Sequence, residues 1–211
     1  MRILIACEES GTVRDAMIAK GHMAVSCDLV KSRKPGPHIV GDVRGVIKKY
    51  VWDAMIAFPD CTYLTCAAEW AYGDEQTKLI KPGTLTGQAR RDARDNAFAF
   101  FMELALANIP RIAIENPVGV VSSRWRKPDQ IIQPYEYGED ASKKTCLWLK
   151  GLPLLQPTKL VNPRWVDGKP RYANQTDSGQ NRLGPGKNRA RDRAKTYGGI
   201  AQAMSDQWFL E

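Results

Sequence analysis

Five short apolar runs in this chain each stop at a carboxylate, a thiol or a glycine turn. That repeated ending constrains the fold more than any other feature. Arg2–Ala6 gives way to Cys7-Glu8-Glu9-Ser10-Gly11, and Met23–Cys27 stops at Asp28. His38–Val40 meets Gly41-Asp42, Trp52–Phe58 meets Pro59-Asp60-Cys61, and Arg111–Ile114 meets Glu115-Asn116-Pro117. Runs this short and this apolar suit parallel strands, which are covered on both faces. Helical patterns lie between them. Thr12–Lys20 places Val13, Ala16, Met17 and Ala19 on a helical repeat and is stopped by Gly21. Gln88–Asn108 reads as a long amphipathic helix and Tyr197–Phe209 as a last one, while Gln130–Gln133 and Thr145–Leu149 add a sixth and a seventh strand. The alternation predicts an α/β fold with a mostly parallel, doubly wound sheet. Ligands of such sheets sit at the carboxyl ends of the strands, which is where the acids, the thiol and the glycine turn fall.

Several classes are excluded. With 211 residues, 43% of them apolar and 26% charged, the chain suits one globular domain rather than a disordered tail. No apolar run nears the roughly 18 to 20 residues of a membrane span. The first residues lack a basic region and a small-residue cleavage site, so no signal peptide is expected. Five cysteines occur without a CxxC pair or a Cys/His cluster. This predicts a reducing cytoplasm, with no disulfide framework and no metal.

The net charge of +8 is concentrated: Leu152–Tyr197 holds ten basic and three acidic residues, so the rest is nearly neutral. The stretch is rich in Gly, Pro, Asn and Gln and predicts a loop-like phosphate-binding arm, with a solvated surface loop as the alternative. Its candidate contacts are Arg164, Arg182, Lys187, Arg189, Arg191, Arg193 and Lys195. Trp165 and Tyr172 in the same stretch are core residues or stack on bases. Arg90, Arg91 and Arg94, at the start of the long helix, form a solvated face or line a nucleic-acid channel.

The strand ends suit a nucleoside. A carboxylate after the second strand, Asp28, is placed to accept the ribose hydroxyls, and Asp42 an adenine amino group. Both are alternatively helix caps or turn residues. The first turn is neither GxGxxG nor a P-loop, and its two carboxylates would repel a pyrophosphate. They suit a cofactor carrying positive charge, such as S-adenosylmethionine.

Taken in order, these segments resemble the DNA cytosine-5 methyltransferases, in a small form of the phage or prophage type. Ile5-Ala6-Cys7-Glu8-Glu9-Ser10-Gly11 is similar to the family's first motif, Asp28 to its acidic ribose position and Gly41-Asp42-Val43 to its Gly-Asp-Ile. Phe58-Pro59-Asp60-Cys61 resembles the Pro-Pro-Cys nucleophile motif and Ile114-Glu115-Asn116-Pro117 the Glu-Asn-Val motif. Tyr137-Gly138 through Lys143-Lys144 to Gly151 resembles the Arg-x-Arg strand, and Tyr197–Met204 the last helix. The resemblance implies a Rossmann-like methyltransferase fold that binds S-adenosylmethionine through Cys7, Glu8, Glu9, Ser10, Gly11, Asp28, Asp42, Val43 and Pro59. It implies methyl transfer to cytosine C5 in DNA, with Cys61 as nucleophile and Glu115 on the base edge. Asn116 would fix the loop, while Lys143 and Lys144 would steady base or phosphate. It divides the chain into a catalytic core (1–151), a basic insert (152–193) and a returning helix (194–211).

The chain departs from the pattern at named places. Asp60 stands for the second Pro, Thr62 for the following Gln, and lysines for the arginine pair. The basic insert stands where the family carries a target recognition domain, so target choice is loose or is set by a protein partner. Two alternatives follow: the same site acting on a modified base, RNA or a free nucleotide, or a DNA-binding protein without catalysis.

Overall fold

Along the first strand, Ile3 and Ile5 join one core layer and Leu4 and Ala6 the other, and all four are fully buried. A strand covered on both faces is the signature of a doubly wound sheet. The computed structural model describes residues 1–75, 80, 82–184, 186, 192 and 194–209. Its main sheet has seven strands: β1 (Arg2–Ala6), β2 (Met23–Asp28), β3 (His38–Val40), β4 (Ala54–Ala57), β5 (Arg111–Pro117), β6 (Gln130–Ile132) and β7 (Thr145–Lys150). Their order is β3-β2-β1-β4-β5-β7-β6. The first five run parallel, and β7 lies antiparallel between β5 and β6. This is the predicted fold class, a Rossmann-like α/β sheet.

The helices cover both faces. α1 (Thr12–Ala19) and α5 (Gly198–Gln207) bury Val13, Met17, Ile200 and Met204 against Ile3, Ile5 and Ile56. α2 (Val43–Lys49) and α3 (Gly87–Ala105) bury Val43, Val46, Phe101 and Leu104 against Leu4, Met55 and Ile112. The edge-on contact of Phe101 with Trp148, ring centres 5.2 Å apart, joins α3 to β7. A short helix, α4 (Val121–Arg124), follows β5. No helix among the described residues is long and apolar enough to cross a membrane.

Three expectations are corrected. The fourth strand starts at Ala54, not Trp52. Trp52 packs beneath α2, where its indole Nε1 donates to the Val46 carbonyl at 3.4 Å. Asp42 opens the unexpected helix α2 as its N-cap, accepting from the Arg44 amide at 2.9 Å. The late basic stretch also holds a hairpin, β8 (Arg164–Val166) with β9 (Lys169–Arg171), and is therefore not plain loop. Its turn residues Asp167 and Gly168 both have positive φ, 49° and 69°, as a type I′ hairpin turn requires.

Candidate active site

The parallel strands reverse their order of addition between β1 and β4, and their carboxyl ends open a crevice there. The turn leaving β1 is built around Glu8. Its buried carboxylate accepts from Ser10 Oγ at 2.9 Å and from the amides of Val13 (2.8 Å) and Arg14 (3.3 Å). Glu8 thus caps α1. Burial pushes its carboxyl above the ordinary value, against these hydrogen bonds. Gly11, at φ +69°, lies so close to Arg14 that a Cβ there would sit 2.5 Å from Nη2.

Arg14 was not singled out in the sequence. Fully buried, its guanidinium donates to Ser26 Oγ, Ser32 Oγ and the carbonyls of Lys34 and Pro35. It ties the segment after β2 to the first turn. The lone signal for it was a cation on the apolar side of a short helix.

Charges from several strands meet at Cys7. Burial raises its thiol to about 12, with Asp28, Asp42 and Asp60 adding to the effect. Of the candidate nucleoside ligands, Glu9 pairs with Arg33 at 2.7 Å. Asp42 is occupied as the α2 cap and with Arg44. Val43 lies in the core. Asp28 accepts the Val30 amide at 3.2 Å, and burial raises its carboxyl. Thr12 Oγ1, at the start of α1, is buried without a hydrogen-bond partner. Asp28 stands at the end of β2, where this crevice opens.

The loop after β4 carries Cys61 and is held at most of its carbonyls. Asn116 Nδ2, from the end of β5, donates to Pro59 O at 3.1 Å. Leu64 O accepts the Val120 amide at 2.8 Å, and Thr65 bridges Gly119. A Cβ on Gly119 would lie 2.0 Å from Leu64 O, so only glycine permits this approach. From the other side Arg94 donates to Tyr63 O at 2.9 Å and Thr65 O at 3.2 Å. Its guanidinium lies 3.4 Å from the Tyr72 ring centre and pairs with Glu69 at 2.6 Å. Arg90 also covers Tyr72, at 4.8 Å, and Arg91 donates to Tyr72 O at 2.6 Å. Arg90 and Arg94 are buried, so they form neither a solvated face nor a channel wall. Arg94 is a strut for the Cys61 loop, while Arg90 lies over the Tyr63 and Tyr72 rings and bonds Leu85 O.

Two departures from the motif answer each other. Asp60 Oδ1 accepts both the Thr62 amide, at 2.9 Å, and the Thr62 hydroxyl, at 2.7 Å. The pair makes the local turn that a second proline would otherwise stiffen.

Glu115 and Lys143 line one cleft with Phe58 of the Cys61 loop, and α5 closes it with Tyr197, Ile200 and Met204. Burial raises the Cys61 thiol, the carboxylates of Asp60 and Glu115 add to this, and the Lys143 ammonium opposes them. Cys61, Glu115 and Lys143 are therefore within electrostatic reach of one another. Lys143 is set by its amide, which donates to Gln133 Oε1 at 2.9 Å. Lys144 is exposed and acts on Cys146 instead. The Asn116 Oδ1 acceptor is buried with no partner.

In the late stretch, Tyr172 is buried and stacks on Tyr135 at 4.5 Å, which leaves it unavailable to a base. Trp165 is 69% exposed. Arg164, Arg182 and Lys195 are exposed, whereas Lys187, Arg189, Arg191 and Arg193 lie outside the described residues. No group of three or more His, Cys, Asp or Glu among the described residues could hold a metal ion.

No protein-family model matches the chain, and no curated protein sequence matches it. Solved structures do match. One is described as a DNA modification methyltransferase encoded within a prophage of E. coli, 10% identical, covering 76% of this chain and 52% of its own, TM-score 0.43. A mutant of Spodoptera frugiperda DNMT2 is 14% identical, covering 81% and 57%, TM-score 0.42. The Entamoeba histolytica methyltransferase EhMeth is 10% identical, covering 77% and 58%, TM-score 0.45. The chain spans just over half the length of these three proteins.

Proposed function

We propose that the chain transfers a methyl group to C5 of cytosine in DNA, with Cys61 as covalent nucleophile. The observation that carries this reading is that Glu115 and Lys143, which line one cleft with Phe58, both act on the Cys61 thiol, while Asn116 ties the end of β5 to the Cys61 loop. Cytosine C5 is a weak nucleophile. Addition of the Cys61 thiolate to C6, with a proton delivered to N3 by Glu115, converts C5 into an enamine carbon. After C5 is substituted, loss of its proton to a base returns the electron pair and expels the thiolate. A Glu115 that carries a proton also removes one of the two charges opposing the Cys61 thiolate, so the acid that assists addition frees the nucleophile. Lys143 steadies the base.

S-adenosylmethionine supplies, when bound, an electrophilic methyl on a sulfonium. The crevice fits it through Asp28 for the ribose, the unpartnered Thr12 hydroxyl and the negative field around Cys7. The target base leaves its stack to reach the cleft. Phosphates are held by the late basic stretch, including Lys187, Arg189, Arg191 and Arg193. Target choice falls to few base contacts or to a partner protein.

The test is transfer of labelled methyl from S-adenosylmethionine to DNA by the wild type and by Cys61→Ser. Transfer by the wild type alone, with 5-methylcytosine found by mass spectrometry, is expected. A wild type that binds the cofactor and labels no DNA sinks the reading. Label appearing only in RNA or dCMP moves the same site to that substrate.

A further inference from the structure

Arg164, Arg171 and Arg182 come from three points in the late stretch, yet their guanidinia converge on one turn, residues 175–179. Arg164 donates through Nη1 to Asp177 Oδ1 at 2.6 Å and through Nη2 to Gln175 O at 3.0 Å. Arg182 Nε donates to the same Gln175 O at 2.8 Å. Arg171 Nε donates to Asp177 O at 2.8 Å. The turn is closed on itself by Thr176 N to Gln180 O, 2.8 Å, and Gly179 N to Thr176 O, 2.9 Å. Three guanidinia thus bond one turn, and only Arg164 pairs with its carboxylate. Each guanidinium offers five donors, and the turn takes only a few of them.

The turn is also fixed in place. Asn174, just before it, accepts the Ser142 amide and donates to the Ser142 carbonyl, each at 3.0 Å. Its side chain hydrogen-bonds Tyr197, a wall of the cleft. Ala173 N donates to Asp140 Oδ1 at 2.9 Å. Residues 140–142 lead straight into Lys143. The arginine turn therefore sits at a set position beside the cleft. Trp165, the neighbour of Arg164, presents its ring to solvent and pairs across the hairpin with Pro170.

We propose that the turn 175–179 is a phosphodiester clamp for single-stranded nucleic acid. In this clamp Arg164, Arg171 and Arg182 hold the backbone, and a base next to it stacks on Trp165. Guanidinium forks match phosphate oxygens. Three cations on a turn that carries one carboxylate leave surplus positive charge that an anion neutralises. An exposed ring face is useful to an unstacked base and useless to one inside a duplex. The clamp rests on the methyl-transfer reading only for what the strand then delivers into the cleft.

The experiment is a titration of the full chain with labelled oligo(dT) over a series of salt concentrations. That strand holds no cytosine, so binding is read apart from catalysis, and loss of transfer to cytosine strands leaves this test standing. Wild type should bind with a log–log salt slope of about −0.7 per phosphate contact. The triple variant Arg164→Gln, Arg171→Gln, Arg182→Gln should flatten that slope by about 2. The triple Lys variant, which keeps charge and loses the forks, should keep the slope and bind more weakly; this separates the clamp from a collapsed turn. Trp165→Ala should weaken binding by about 5- to 150-fold with the slope unchanged. An unchanged slope in the Gln variant overturns the clamp, as does duplex binding more tightly than single strand. Full competition by inorganic phosphate reduces the site to a free-anion site and overturns it too.

Discussion

Two groups of arginines hold two loops of this protein by the same bond, guanidinium to backbone carbonyl, in opposite surroundings. Arg90 and Arg94 are 6% and 8% exposed, stacked on Tyr72, beneath the Cys61 loop. Arg164, with its side chain 38% exposed, shares the turn 175–179 with Arg171 and Arg182. A desolvated guanidinium has only the protein to bond, and an unpaired buried donor is costly; Arg94 gives its donors to Tyr63 O, Thr65 O and Glu69, whereas Arg90 bonds Leu85 O and leaves Nε unpaired. Arg94 becomes a strut. A solvated one keeps donors in reserve and can trade water for phosphate. Burial, rather than residue type, separates the two roles.

The comparison breaks first at Arg94. Arg94→Ala strips Tyr63 O and Thr65 O of their partner and should cost about 2–4 kcal/mol in denaturant unfolding. Arg94→Lys should recover less than half of that, because the fork is lost. A cost below about 1 kcal/mol would make Arg94 no different from its exposed counterparts. Gly119→Ala, on the opposite side of the same loop, should cost about 1–3 kcal/mol as the close approach to Leu64 O opens. Asp60→Asn keeps the acceptor for Thr62 and removes the charge beside Cys61. Because that charge raises the thiol, the pH profile of Cys61 alkylation should move to lower pH; a profile that stays put places the Asp60 charge elsewhere. Arg182→Gln should change stability by no more than about 0.5 kcal/mol while weakening oligo(dT) binding. Asp74→Asn, which removes the exposed partner of Arg91, should move the unfolding midpoint least, by about 0–0.5 kcal/mol.

Much of the frame could be read in the chain. β1 to β5 lie in apolar runs with polar endings, so their identity and the position of Cys61 and Glu115 follow from local pattern. Asp42 was open between ligand and cap, and it caps α2 through the Arg44 amide. The hairpin had its signal in Asp167-Gly168, masked by the polar composition around it. The arginine roles had no such signal. Arg94 and Tyr63 are 31 residues apart, and Asn174 and Ser142 are 32 apart. No periodicity in one segment reports a bond formed with another. The partnership of Asp60 with Thr62 spans two residues and was legible in principle as an Asx turn.

Helix α5 gives the cleft Ile200 and Met204, and the bond of Lys20 to Asp206 at 2.5 Å ties it to α1. It also leaves the ribosome after all the described strands. Arg14, by contrast, closes its bonds within the first 35 residues. The first turn and the cleft are thus finished at different times in the life of the chain. The crevice near β1 can take shape during synthesis, while Phe58 and Glu115 stay open to water until α5 arrives. A nascent chain halted at β7 has a sheet and no chamber, so any chemistry at Cys61 begins with the arrival of this helix.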